Sequence, residues 1–296
     1  MSQAVSVSAP AKVNLFLRVF RRRPDGFHEL KTLFQAIDYC DDVLVELNDS
    51  EKLSLETTGL EVGSVQENLA HRAAFAYREA AGLKAGIHVA LTKRIPAGAG
   101  LGGGSSDAAA VLRALDHLTE GLLDTATLGQ IGSNLGSDVS FFLCETPTAL
   151  AHGRGEILEV VEPLPGETLL LVLPPVHVST KAAYEMLGRS LDDDAEQYGT
   201  PSVIGPRTDW ATIISSAHND FEIMTAEVHS EVRRSLLALR RRGYPLVLLS
   251  GSGAACFALA RSGSEIESDA HELTEELGWP CLVTRTLESY PAVTPI

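Results

Sequence analysis

The chain has 296 residues, 45% hydrophobic and 21% charged, enough for one large or two ordinary soluble domains with real cores. Its 24 basic and 39 acidic residues leave a formal net charge of −15, which argues against a general binder of nucleic acid or membrane surface, because both want a cationic face. A polyanionic ligand would therefore have to find positive charge concentrated at its own site. Cys40, Cys144, Cys256 and Cys281 show no CxxC or zinc-like spacing and read as reduced, mostly buried thiols. Patterned sequence begins near Val5, which leaves no room for a signal peptide, and the apolar runs LLLVLPP and LVLLSGSGAACFALA are too short or too glycine-broken to span a bilayer. A cytoplasmic location is the expectation.

In chain order, AVSVSAPAKVNLFLRVF alternates as a strand, with Val13, Leu15, Leu17 and Val19 on one face and Lys12, Asn14, Phe16 and Arg18 on the other. Pro24-Asp25-Gly26 marks a turn. DDVLVEL and KLSLET read as strands, and ENLAHRAAFAYREAAGL as a helix stopped near Gly82. GIHVALTKRI is a strand that delivers the chain into the glycine-rich segment. Ser105, Ser106 or Asp107 can cap the helix that follows, whose apolar face holds Val111, Leu112, Leu115 and Leu118. A further helix near Thr125 to Leu135 ends at Gly136, and TALAHGRGEILEVVE reads as a hairpin turned at Gly153–Gly155. Pro163–Gly166 is the best candidate boundary. Beyond it come a strand (TLLLVLPP), a short helix (STKAAYEML) and an acidic loop from Asp192 to about Pro206. Asn219 with Glu222 resembles a capping box for a helix carrying Val228, Val232, Leu236 and Leu239 and stopped by Gly243 and Pro245. Two buried strands joined at Ser250–Gly253 follow. The pattern is α+β with two domains.

PAGAGLGGGSSDAA, from Pro96 to Ala109, holds five glycines and then starts a helix. Glycine loses the most chain entropy on folding, so a cluster of it points to a ligand lying against bare backbone, above all a phosphate. A Walker loop needs a lysine followed by Ser or Thr directly after the last glycine; Ser105 stands there instead. Gly98, Gly100 and Gly103 satisfy the dinucleotide pattern GxGxxG. Pro96, the half-polar strand before it, and the helical positions of Asp116 and Glu120 do not supply that motif's context. A loop that merely turns would not need five glycines running into serines at a helix start.

The remaining reading is a resemblance. P-x-G-x-G-L-G-G-G-S-S followed by a helix is similar to the phosphate loop of the GHMP kinases, the group of galactokinase, homoserine kinase and mevalonate kinase. PAKVNLFLRV, RRPDGFHEL, IPAGAGLGGGSSDAA, NLGSDVSFF, GRGE, NDFE and SGSGAACFA occur in that order, so the resemblance runs through most of the chain. It implies an α+β, two-domain GHMP kinase fold: a ribosomal-protein-S5-domain-2-like N-terminal domain over 1–163 and a ferredoxin-like C-terminal domain over 164–296. It implies an ATP-dependent small-molecule kinase using Mg²⁺ and phosphorylating an alcohol on a cytidine diphosphate conjugate. No nucleic acid or membrane partner is implied, and a monomer and a homodimer both fit.

By that resemblance Asp138 is the catalytic aspartate and Lys12 the lysine beside it. A carboxylate can take the alcohol proton, and an ammonium can stabilise charge building on the attacking oxygen. Read singly, Lys12 is an edge-strand lysine and Asp138 a helix cap. Pro96, Ala97, Gly98, Ala99, Gly100, Leu101, Gly102, Gly103, Gly104, Ser105 and Ser106 would wrap the ATP phosphates, with the two serines bonding phosphate oxygens or helping to hold Mg²⁺. Asn68 and Lys93 would lie near the adenosine, although a helix cap and a solvated strand end are the plainer readings of each. Phe27, where the family has tyrosine, would stack on the cytosine and His28 would read its edge. Tyr184 is either the second stacking aromatic or a core residue. Asn14 would face the substrate. Ser140 stands where the family usually has proline, which bears on the rigidity of the loop behind Asp138. Rival readings are another GHMP kinase, a non-catalytic nucleotide-binding module, and a dinucleotide oxidoreductase.

Overall fold

The computed structural model describes residues 3–188, 204–261 and 265–296. Two long antiparallel strands, β1 (Gln3–Arg22) and β2 (His28–Asn48), are its spine. β3 (Leu53–Gly59), β4 (Gly86–Lys93), β5 (Thr148–His152) and β6 (Ile157–Val160) complete most of the first sheet, in which β4 and β5 both pair with β2. Helices α1 (Leu69–Ala81), α2 (Gly103–Leu118), α3 (Thr125–Leu135) and α4 (Ser137–Leu143) belong to this half. α1 stops where Gly82 takes the left-handed conformation that glycine adopts without steric cost. α2 is rich in alanine and buries nearly its whole first three turns against Val7, Ala36, Val43 and Val89 of the sheet.

The second sheet runs β11-β7-β10-β9, all antiparallel: β7 (Thr168–Val172), β9 (Leu246–Leu249), β10 (Cys256–Leu259) and β11 (Cys281–Arg285). Between β7 and β9 come α5 (Thr180–Leu187), α6 (Trp210–Ser216), the short β8 (His218–Asn219), α7 (Glu222–Val228) and α8 (Ser230–Arg241). α9 (Ile266–Leu277) joins β10 to β11. This strand order with its two crossover helices, α8 and α9, is the ferredoxin-like pattern. The central strand β7 is buried on both faces, which is why TLLLV reads as a continuous apolar run. Leu169 and Leu171 face the first sheet, meeting Val13, Leu15 and Phe16 of β1. Leu170 and Val172 face Val232, Leu236 and Leu239 of α8 and Leu273 of α9. Two elements of the later chain return to the first sheet: β8 pairs with β1 in parallel, and β12 (Thr294–Pro295) pairs with its start.

Four sequence expectations change. The alternation along β1 does not hold through its middle. A bulge between Asn14 and Phe16 leaves Leu15 extra and reverses the faces beyond it, so Leu17, not Phe16, follows Lys12 and Asn14 on the cavity side. No side chain caps α2; Gly102 holds the cap position, and Ser105, Ser106 and Asp107 lie inside the helix. The helix expected after Asn219 is two helices broken at His229, and Val228 is exposed. Asn219 accepts from the N–H of Phe221, but Glu222 accepts from Leu249 N–H instead of closing a capping box. Of the four free thiols only Cys256 is fully buried; Cys40 and Cys281 are partly covered and Cys144 is exposed. The acidic stretch from Asp192 falls mostly outside the described residues.

Leu171 sits between the two sheets with no solvent contact. Leu171→Ala is expected to destabilise the protein by roughly 2–5 kcal/mol. The exposed Val160→Thr on edge strand β6 should stay within about 0.5 kcal/mol. Urea denaturation of both variants checks the contrast.

Candidate active site

A cavity of about 980 Å³ opens between the two sheets. That is at the upper end of the roughly 300–1,000 Å³ usual for small-molecule sites, so it has room for more than one ligand. Lys12, Arg22, Arg154 and Lys181 line it against the carboxylates of Asp138 and Glu185. On a chain of net charge −15 this is a local concentration of positive charge.

One wall is the glycine loop. Gly98, Gly100 and Gly102 have φ of 67°, 75° and 72°, alternating with Ala99 and Leu101 outside the left-handed region. Successive peptides of alternating hand form a concave nest of N–H groups that suits an anion. The carbonyls are drawn to the outside. Gly98 O accepts from Val178 N–H (3.5 Å), Ala99 O from Ala255 N–H (3.0 Å) and Leu101 O from Lys12 N–H (2.9 Å). Gly100 O accepts from the Ser250 hydroxyl at 2.9 Å, and Gly102 O from Ser106 N–H at 2.9 Å. With four consecutive carbonyls engaged behind the loop and the fifth committed to α2, the N–H groups of these peptides are left toward the cavity. The loop ends at the N-terminus of α2, where unpaired N–H groups and the helix dipole add to the attraction for phosphate. A Cβ at Gly100 would lie 2.0 Å from Ser250 O, so the second lobe's SGSG turn packs against bare backbone there.

Lys12 and Asp138 come from opposite ends of the first half. β1 carries Lys12 and the first turn of α4 carries Asp138. Lys12 Nζ lies 3.5 Å from Asp138 Oδ2; the lysine is 4% exposed and the aspartate 32%, on the cavity side. Nζ donates to Asn14 Oδ1 (2.8 Å), Asn14 Nδ2 donates to Thr32 Oγ1 (2.7 Å), and Thr32 donates to Phe16 O (2.7 Å). The chain of bonds fixes the amide of Asn14 and aims the ammonium. Phe34 lies under the ammonium at 5.2 Å from its ring centre, favourable for a cation over an aromatic face.

The far end of the cavity is aromatic. His28 and Tyr184 stack with ring centres 4.9 Å apart and planes inclined by 22°. Tyr184 meets the edge of the Phe221 ring, and Arg154 lies over Phe27 at 4.7 Å. Tyr184 is thus at once packed into the second lobe's core and part of the cavity wall, and its two sequence readings are compatible. Burial, with Asp138 nearby, pushes its hydroxyl above the usual range.

The structure brings Lys12, Asn14, Phe27, His28, Tyr184, Asp138 and the stretch Pro96–Ser105 to one cavity. Three expected nucleotide contacts are not among its lining residues. Ser106 is buried on the inner side of α2. Asn68 caps α1 by accepting from Ala70 N–H at 2.9 Å, while its neighbour Leu69 lines the cavity. Lys93 is buried in an ion cluster with Asp41 and Asp107, not on a solvated strand end. Gly251 of SGSG, a segment expected to face the substrate, lines the cavity, as do Thr32, Phe34, Arg154 and Phe221, which sequence reasoning did not single out. GRGE and NDFE contain the last two, but nothing in the sequence says which side chains turn inward.

The GHMP kinases N terminal domain model matches residues 68–146. The 4-diphosphocytidyl-2-C-methyl-D-erythritol kinase of Pelobacter propionicus is 38% identical over 96% of this chain and 100% of its own length. The enzyme of the same name from Geobacter metallireducens is 38% identical over 96% and 99%. A crystal structure of 4-(cytidine 5'-diphospho)-2C-methyl-D-erythritol kinase superposes with a TM-score of 0.75 at 36% identity, covering 95% of this chain and 98% of that one. The homoserine kinase of Cytophaga hutchinsonii, 18% identical with a TM-score of 0.65 over 98% and 97%, shares the fold.

Gly100→Ala forces a side chain into left-handed backbone and against Ser250 O. ATP affinity measured by calorimetry is expected to fall by at least about tenfold, the equivalent of ~1.4 kcal/mol. Gly129→Ala, in open space on α3, should leave that affinity unchanged.

Proposed function

The chain belongs to the 4-diphosphocytidyl-2-C-methyl-D-erythritol kinases, a branch of the GHMP kinases, and on that premise we propose how its own residues divide the work. It is an ATP-dependent kinase that phosphorylates the 2-hydroxyl of 4-diphosphocytidyl-2-C-methyl-D-erythritol, a step in the non-mevalonate supply of isoprenoid precursors.

The triphosphate of ATP occupies the nest of Gly98–Gly102 and the N-terminus of α2, with the Ser105 hydroxyl on a phosphate oxygen. The cytosine lies among Phe27, His28 and Tyr184. That arrangement directs the two substrates from opposite ends of the cavity toward Lys12 and Asp138. The single observation that carries it is the 3.5 Å approach of Lys12 Nζ to Asp138 Oδ2 between those ends. Asp138 takes the proton of the 2-hydroxyl as that oxygen bonds the γ-phosphorus and the bond to the ADP oxygen breaks. Lys12, oriented by Asn14, stabilises the negative charge on the attacking and transferred oxygens.

Mg²⁺ fits this donor set as an ion held mostly by phosphate oxygens and water. Among the described residues no cluster of three or more His, Cys, Asp or Glu is arranged for a metal, while Ser105 and Asp138 offer hard oxygen donors. When bound, it neutralises phosphate charge. We take 1–163 and 164–296 as the two domains, supported by the confinement of the second sheet to the later segment. Among the described residues no helix is long and apolar enough to cross a membrane. A cytoplasmic location is favoured by the four unpaired thiols, which suit a reducing compartment.

ADP release with 4-diphosphocytidyl-2-C-methyl-D-erythritol as acceptor tests the reading. Asp138→Asn should lower kcat by roughly 10²–10⁴-fold with little change in either KM. Full turnover by that variant would remove Asp138 from the proton transfer. Phe27→Ala should raise KM for the cytidine substrate by about five- to a hundredfold, the equivalent of ~1–3 kcal/mol of base stacking, and leave KM for ATP alone.

A further inference from the structure

Asp41, Lys93 and Asp107 form an ionic cluster almost free of water, their side chains 0%, 3% and 2% exposed. Taking charges out of water costs several kcal/mol per ion, and apolar residues of similar volume would often stabilise a protein as well or better. The cluster therefore invites the question of what geometry it sets. Its members stand at the two ends of the phosphate loop. Asp41, on β2, accepts through Oδ1 from the N–H groups of Arg94 (2.5 Å) and Ile95 (2.9 Å), which open the loop. Its Oδ2 takes the ammonium of Lys93, the last residue of β4. The same ammonium donates to Asp107 Oδ2 at 2.9 Å, on α2 just past the loop's exit. It is packed against the first residue of that helix: a Cβ on Gly103 would lie 2.8 Å from Nζ. Burial raises the Asp107 carboxyl from its usual range, while Lys93 acts against that rise.

We propose that the Asp41–Lys93–Asp107 cluster is a staple across the base of the phosphate loop. Lys93 is thereby a positioning residue that holds the loop's entrance and exit together rather than a group that touches the nucleotide. This rests on the kinase reading above. A loop with glycines at alternate positions has many conformations in which its N–H groups do not converge. Closing it at the base from below, by groups that never meet the ligand, lowers the ordering cost paid on binding a triphosphate. Lys12 and Asp138 do not touch the cluster, so the chemical step is left intact once ATP is bound.

Asp107→Asn, which keeps the shape and removes the charge, and Lys93→Met are compared with wild type in three measurements. These are steady-state kinetics, calorimetry with ATP, and calorimetry with inorganic tripolyphosphate. The staple predicts that affinity for ATP and for tripolyphosphate falls by the same factor, at least about tenfold. It also predicts kcat at saturating ATP within about twofold of wild type and an unchanged KM for the cytidine substrate. Loss of ATP affinity with tripolyphosphate affinity retained would show a direct adenosine contact and overturn the proposal. Unchanged affinity for both with a lowered Tm would reduce the cluster to general stability, which also overturns it, as would failure of both variants to fold. If wild type itself neither binds ATP nor releases ADP, the kinase reading falls instead.

Discussion

The carbonyls of Gly98 to Leu101 turn away from the cavity, held by donors from three other stretches of the chain, and the rest of the site follows from that. The donors are Lys12 of β1, Val178 before α5, Ser250 of the SGSG turn and Ala255 just after it, while Gly102 O begins the bonding of α2 by accepting from Ser106 N–H. A peptide that gives up its oxygen on one side presents its N–H on the other. The candidate anion site is thus shaped by packing the second lobe and β1 against the back of a loop whose glycines carry no side chain to keep them off. The proposed binding surface and the lobe interface are two faces of the same few peptides.

The same economy appears on β1. One strand supplies Val13, Leu15 and Phe16 to the core between the sheets, Lys12 and Asn14 to the cavity, and the backbone N–H that holds Leu101. The bulge at Leu15 makes this possible. Without the extra residue Leu17 would face the core and Phe16 the substrate side. Asn14 then has a defined task, because its amide both receives the Lys12 ammonium and donates to Thr32 on β2. The ammonium is held by neutral oxygen on one side and the Phe34 ring on another, leaving its approach to Asp138 open to the cavity.

Much of this is legible in the sequence. Strong periodic signals placed α1, α3 and the β5–β6 hairpin well, since caps and glycine stops act locally. The helix after Asn219 misled because its apolar spacing runs on through His229, where the backbone turns extended and the helix breaks. Lys93 misled for a related reason. A charged residue at a strand end is ordinarily solvated, and only the fold shows two carboxylates, one from β2 and one from α2, converging on it.

The sequence by itself determined that residues 96–105 offer bare backbone of the kind a phosphate needs, that no Walker lysine stands there, and that seven ordered blocks belong to one kinase family. Those conclusions depend on residue type and short spacing, which a chain carries in any conformation. Tertiary structure alone decided which way each peptide of the loop points and that Lys12 lies 3.5 Å from a carboxylate 126 positions later in the chain, at Asp138. It also decided that Ser106 and Lys93 are buried away from the cavity and that Asn68 caps α1. Orientation is set by what packs behind a residue, and in this protein what packs behind the loop comes from the far ends of the chain.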